Sequence, residues 1–161
     1  MRVGNVEVYI VSDGSFRMDG GAVFGLVPKV LWEKIVTPDE LNRVPMSLNC
    51  LLIISEGKRI LVDTGMGDKL SPKEREIFAL YGERRLLKSL GELGFSPEDI
   101  DIVINTHLHS DHCGGNTIAL EGEIVPTFPK AEYWIQRLEW ADAAFPNERT
   151  RATYLAQNFM P

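Results

Sequence analysis

All three histidines of the chain fall in one stretch, Thr106-His107-Leu108-His109-Ser110-Asp111-His112. His107 and His109 stand two residues apart, where the strand-like run Ile100-Asp101-Ile102-Val103-Ile104-Asn105 ends. In extended backbone, side chains two apart point to the same side, so these imidazoles can share one cation. Asp111 and His112 follow where the chain must turn, and they can hold a second cation from another angle. Imidazole with carboxylate suits zinc first, then iron or manganese. Such a site makes hydroxide available near neutral pH and polarises a carbonyl or phosphoryl oxygen. Hydrolysis is the natural reaction, with Asp111 both a ligand and the group that orients the attacking hydroxide. Gly114 and Gly115 let the backbone pass close to such a site without a Cβ clash. Ser110 lacks a nucleophile elbow and a separate base, so serine chemistry is the weaker reading.

Asp63 is the second residue of interest. It ends a buried strand at Val62-Asp63-Thr64-Gly65. Aspartate caps turns well, but here the favoured role is a carboxylate that fixes a ligand histidine or its loop. Cys113 follows the cluster directly and is read as a small buried side chain. With Cys50 far away in sequence, the two cysteines make no disulfide framework.

The elements that must carry these residues alternate between strand and helix, which indicates an α/β layered domain. Val6 to Val11 reads as a strand running into the turn signal Ser12-Asp13-Gly14-Ser15. Met18 to Gly25 reads as a loop over a pocket, with Phe24 or Met18 as an apolar wall. Leu48 to Ile54 and Arg59 to Val62 read as a hairpin of two well-buried strands. Helix starts stand at Thr37-Pro38-Asp39-Glu40, Ser71-Pro72-Lys73-Glu74 and Ser96-Pro97-Glu98-Asp99. Helices are expected over Lys73 to Tyr81, Arg84 to Leu93, Arg137 to Ala144 and Glu148 to Leu155. In the second of these, Leu86, Leu87, Leu90 and Leu93 form one apolar stripe. Ile124-Val125 and Tyr133-Trp134-Ile135 complete the strands.

The 161 residues suit one domain. A net charge of −6 disfavours nucleic acid and anionic membrane as partners, since both need a basic surface. Met1-Arg2-Val3-Gly4 has no secretory-leader character, and no apolar run is long enough to span a bilayer. A cytoplasmic setting is therefore expected; a small-molecule substrate is the expected partner of the hydrolytic site.

These motifs resemble those of a known family. Thr106 to His112 is similar to the HxHxDH signature of the metallo-β-lactamase-fold hydrolases, and Leu61-Val62-Asp63-Thr64-Gly65 resembles that family's earlier aspartate motif. Their order and separation match as well. Asp19 to Gly25, Asn49-Cys50 and Arg137-Leu138-Glu139-Trp140 resemble the branch holding N-acyl-homoserine lactonases and methyl parathion hydrolase. The resemblance implies a four-layer αββα sandwich with two metal ions at one edge of its sheets. His107 and His109 would bind the first metal, Asp111 and His112 the second. The implied activity is metal-dependent hydrolysis of a lactone, ester or phosphotriester.

One departure is large. The family completes its site from the second half of the fold, with another histidine for each metal and a bridging aspartate, yet no histidine follows His112. The expectation is a single domain over 1–161 that corresponds to the N-terminal half of the sandwich, with each cation underheld. An apolar sheet face would be left bare, favouring association with itself or with a missing C-terminal segment. Two alternatives stand beside hydrolysis. One is an iron-dependent oxidoreductase on the same fold, and the other is an inactive fragment with an incomplete metal site.

Overall fold

The computed structural model describes residues 1–80 and 85–161. Eight strands are described: β1 Arg2–Val3, β2 Val6–Asp19, β3 Arg43–Ser55, β4 Lys58–Val62, β5 Ile102–Asn105, β6 Thr117–Leu120, β7 Glu123–Pro126 and β8 Glu132–Ile135. The α-helical segments are α1 Gly20–Phe24, α2 Lys29–Trp32, α3 Pro72–Ile77, α4 Leu86–Glu92, α5 Ser110–Cys113 and α6 Arg137–Ala144. Among the described residues, six strands form the main sheet in the order β1-β2-β3-β4-β5-β8, and β6 pairs with β7 alone. β3 and β4 are antiparallel, whereas β4, β5 and β8 run parallel. Parallel neighbours need crossovers, and the segment holding α4 supplies one between β4 and β5.

The chain divides into two compact units. The larger comprises Met1–Gly14, Leu48–Lys69 and Glu83–Pro161, and the smaller Ser15–Ser47 and Leu70–Gly82. The larger unit holds the histidine cluster. Its main core joins Val11, Cys50, Leu52, Leu61 and Val103 of the sheet to Leu86 and Leu90 of α4, with Ile100 and Phe128. Register explains this selection. Leu52 pairs with Leu61, and Leu61 with Val103, so one row of side chains crosses three strands on the covered face. The adjacent row, Leu51, Val62, Ile104 and Trp134, is in register across β3, β4, β5 and β8 on the opposite face. There Trp134 is 50% exposed and Leu51 38%, and Ile10 of β2 is 72% exposed. The hairpin strands are therefore buried on one face only, as their alternating burial records.

Within the smaller unit, Phe24 stacks on Trp32 at 4.8 Å. Met18 to Gly25 is not an open loop. β2 runs on to Asp19, whose Oδ1 caps α1 by accepting from the amides of Gly21 and Ala22.

Three other expectations give way to local side-chain bonding. The Ser12–Ser15 turn is absent because β2 continues through it, with the Asp13 carboxylate turned inward and 1% exposed. Thr37-Pro38-Asp39-Glu40 starts no helix. Asp39 instead accepts from the Leu41 and Arg43 amides and from Arg43 Nε, which commits the chain to a turn into β3. Glu148 to Leu155 forms turns rather than a helix. Asn147 Oδ1 takes the Arg149 and Thr150 amides, and Thr153 Oγ1 donates back to the Thr150 carbonyl.

The Ser71 and Ser96 starts do carry capping boxes, the second on a single 3-10 turn. α3 stops at Ile77, short of the expected Tyr81, and α4 buries Leu86 and Leu90 but leaves Leu87 and Leu93 over a third exposed. Tyr81 and Arg84, the expected ends of these two helices, lie outside the described residues. α6 spans Arg137–Ala144 as expected.

Candidate metal centre

The site grows from the carboxyl ends of two parallel strands. β4 ends at Val62 and β5 at Asn105, and Val62 pairs with Ile104. Asp63 and Thr106 thus leave the sheet side by side. Asp63 has φ 59°, a left-handed conformation that aspartate tolerates better than most residues. Its Oδ1 accepts from the Thr106 amide at 2.8 Å. Its Oδ2 accepts from Thr106 Oγ1 at 2.8 Å and lies 2.9 Å from His112 Nδ1. Burial alone would raise this carboxyl, but the hydrogen bonds from His112 and Thr106 outweigh it and hold it below its ordinary value.

An ionised carboxylate only accepts, which fixes the protons. The Thr106 hydroxyl donates to Asp63 and has no second proton to give. Its oxygen also lies 3.1 Å from His107 Nδ1, so His107 Nδ1–H donates there. His112 Nδ1–H likewise donates to Asp63. In their neutral forms both rings therefore carry an unprotonated Nε2. The Asp63 hydrogen bond raises the His112 pKa, whereas burial, followed by the charges of His112 and His109, lowers that of His107.

The three imidazoles are gathered in one place. The His107 ring centroid lies 4.6 Å from His109 and 4.0 Å from His112. Asp111 Oδ2 is 3.6 Å from His112 Nε2. These donors are of the right kind for zinc. Among the described residues, however, no three His, Cys, Asp or Glu side chains already stand as a cage for a cation.

Backbone packing holds the loop from beneath. The Thr64 amide donates to the His112 carbonyl at 2.7 Å, and Gly65 bridges to Cys113. A Cβ on Gly114 would fall 2.0 Å from the Met66 carbonyl oxygen, and one on Gly115 2.3 Å from that of Thr64. The two glycines thus serve a backbone-to-backbone contact between the aspartate loop and the histidine loop. Lys69 Nζ donates to the carbonyls of Gly114 and Thr117. Cys113 is fully buried and its Sγ donates to the Leu108 carbonyl. Burial pushes its thiol up to about 12.

Two carboxylates important to this architecture were not singled out from the sequence. Asp13 accepts from the amides of Met66, Gly67, Arg85 and Leu86, tying the aspartate loop to the start of α4. Glu139 accepts from the Leu108 amide between His107 and His109. Asp13 falls in the expected Ser12–Ser15 turn, and Glu139 in the Arg137–Trp140 stretch that resembles the lactonase branch, with no separate role expected for either.

The model of the metallo-β-lactamase superfamily matches residues 43–148. The chain belongs to this superfamily. An N-acyl homoserine lactonase of Bacillus cereus is 28% identical over 165 residues, covering 96% of this chain and 56% of that protein. A probable metal-dependent hydrolase from Staphylococcus aureus superposes with a TM-score of 0.91 at 33% identity, over 98% of this chain and 56% of that one. AidC, a dizinc quorum-quenching lactonase solved with its product, gives a TM-score of 0.72 at 28% identity, over 98% and 55%. The mixed α/β fold is thus that of metallo-β-lactamase-fold hydrolases, and the chain spans about half the length of the relatives it matches. Among the described residues, no helix is long and apolar enough to cross a membrane.

Proposed function

We propose that this superfamily member is, in its complete form, a metal-dependent hydrolase acting on a small lactone, ester or phosphotriester, with a lactone the first choice because relatives bear that name. The observation that carries the reading is the Asp63 network, which leaves Nε2 of His107 and His112 unprotonated in the neutral rings, beside His109 and Asp111. His107 and His109 would hold one zinc ion, Asp111 and His112 a second. Bound zinc would supply an activated water and polarise the substrate oxygen. The chain's own residues do the positioning. Asp63 sets the tautomers, Thr106 passes that setting to His107, and the contact of Gly114 with Met66 keeps His112 in place. Further donors, as the family pattern implies, would complete each coordination shell. The apolar row Leu51, Val62, Ile104 and Trp134 would be covered by a further segment of the complete protein or by a second copy.

The test is zinc titration followed by hydrolysis of an N-acyl homoserine lactone and of an aryl ester, with His109→Ala as control. Zinc uptake, turnover, and loss of both on substitution are expected. Full activity in His109→Ala would overturn the ligand assignment. An iron-loaded protein with a visible spectrum, oxygen uptake and no hydrolysis would point instead to redox chemistry.

A further inference from the structure

β5 and β8 are parallel, with Asn105 paired to Ile135. Their exits are therefore adjacent, and the first turn of α6 stands beside the histidine loop. Gln136 caps that helix, its Oε1 accepting from the amides of Leu138 and Glu139. Glu139 then points back at the loop, and its Oε1 accepts from the Leu108 amide at 2.7 Å. Leu108 is fully buried in a small cluster with Cys113, Ala143 and Phe159, so its side chain and its amide are both fixed. The Tyr154 ring lies 5.2 Å from the His109 ring. Burial pushes the Tyr154 hydroxyl up, and the charge of Glu139 and a hydrogen bond to it add to the effect. The Ser110 amide, on the far side of His109, donates to the Thr153 carbonyl.

We infer that Glu139 is a positioning residue for the metal centre: by holding the Leu108 amide, it fixes the directions in which His107 and His109 present their rings. This rests on the metal-centre reading above. A carboxylate to amide hydrogen bond is charge-assisted and short, and Leu108 is the one residue between the two imidazoles. Rotation of its peptide would swing both rings. Groups that orient metal ligands in this way typically change metal affinity by about 10- to 100-fold when removed.

The test uses cobalt(II) titration followed by its visible spectrum, together with the amide proton shift and exchange rate of Leu108 in the ¹⁵N-labelled, metal-free chain. Glu139→Ala and Glu139→Asp, the latter withdrawing the oxygen by one methylene, should weaken cobalt binding about 10- to 100-fold and alter its spectrum. Both should move the Leu108 proton upfield and speed its exchange. Glu139→Gln keeps an acceptor oxygen and should restore affinity and spectrum. If Glu139→Ala does not fold, the Asp and Gln variants carry the comparison. Folded Ala or Asp variants with an unchanged Leu108 amide and cobalt spectrum would overturn the inference. So would a Gln variant as impaired as Ala. If the complete protein takes up no cobalt, the metal-centre reading fails instead, and the Leu108 amide still decides whether Glu139 holds the loop.

Discussion

Replacing Asp63 with Asn tests the proton logic of the site with little steric change. Asn accepts the left-handed backbone at this position, where φ is 59°, so the effect is chemical. The carboxylate accepts three hydrogen bonds, from the Thr106 amide, Thr106 Oγ1 and His112 Nδ1. Asn keeps one acceptor oxygen for the Thr106 amide. Its NH₂ then faces Thr106 Oγ1 and His112 Nδ1, where donors already point. The conflict is relieved if His112 moves its proton to Nε2 and accepts at Nδ1, which uses up the lone pair that zinc needs. Exchanging the three charge-assisted bonds for neutral ones costs about 0.7–1 kcal/mol each, or about 2–3 kcal/mol in all. At about 2–4 °C per kcal/mol for a chain of this size, the midpoint should fall by about 4–12 °C. Zinc affinity should fall about 10- to 100-fold. Long-range ¹H–¹⁵N correlation spectra of the imidazoles report the tautomer directly, and thermal unfolding and zinc titration report the rest. A His112 ring that stays protonated at Nδ1, with unchanged zinc affinity, would refute the reasoning.

The same pair of proteins gives a pH signature. The folded pKa of Asp63 is depressed, so its contribution is present above the ordinary carboxylate value and is lost as pH falls through the depressed one. The stability gap between the chain and Asp63→Asn should therefore be widest above about pH 4 and close on acidification. A gap constant down to the folded pKa and below would remove Asp63 as its source. Asp13→Ala should be more damaging. It orphans the amides of Met66, Gly67, Arg85 and Leu86, at about 1–3 kcal/mol for each one that water does not reach. A loss of at least about 3 kcal/mol in urea unfolding is expected, and less than about 1 would refute the clamp. On the open sheet face, the apolar row should drive self-association of the 161-residue chain. Light scattering should find oligomers that Leu51→Lys with Trp134→Lys dissolves, and a monodisperse unsubstituted monomer would count against it.

What the sequence made legible follows from how local each signal is. The histidine cluster and Asp63 were readable because their residue types are restrictive and both stand at strand ends. The β3–β4 hairpin and α6 were readable because apolar pattern and turn chemistry agreed. Asp13 and Glu139 were not readable. Each acts on backbone amides far away in sequence, from Met66 and Leu86 to Leu108, and an amide leaves no mark in the residue string. The helix starts show the same limit from the other side. Ser71-Pro72-Lys73-Glu74 and Thr37-Pro38-Asp39-Glu40 look alike, yet only the first becomes a capped helix. In the second, Asp39 takes the Arg43 amide and guanidinium instead. A bare apolar face was expected, but not its residues, because Leu51 and Leu52 are equally apolar and only register separates the buried one from the bare one.

Taken together, the hydrogen bonds divide the work of the site in a definite way. Orientation is set within this chain. Asp63, Thr106 and the Leu108 amide contact fix the rings of His107 and His112 and the peptide between His107 and His109. Retention of a cation depends on how many donors surround it, and no three donors already stand as a cage among the described residues. Added donors would therefore raise affinity steeply while leaving the imidazole tautomers as they are. On the proposed reading, the order of assembly would follow from that difference: the tautomers and the loop first, fixed by the fold of β4 and β5, and a metal second.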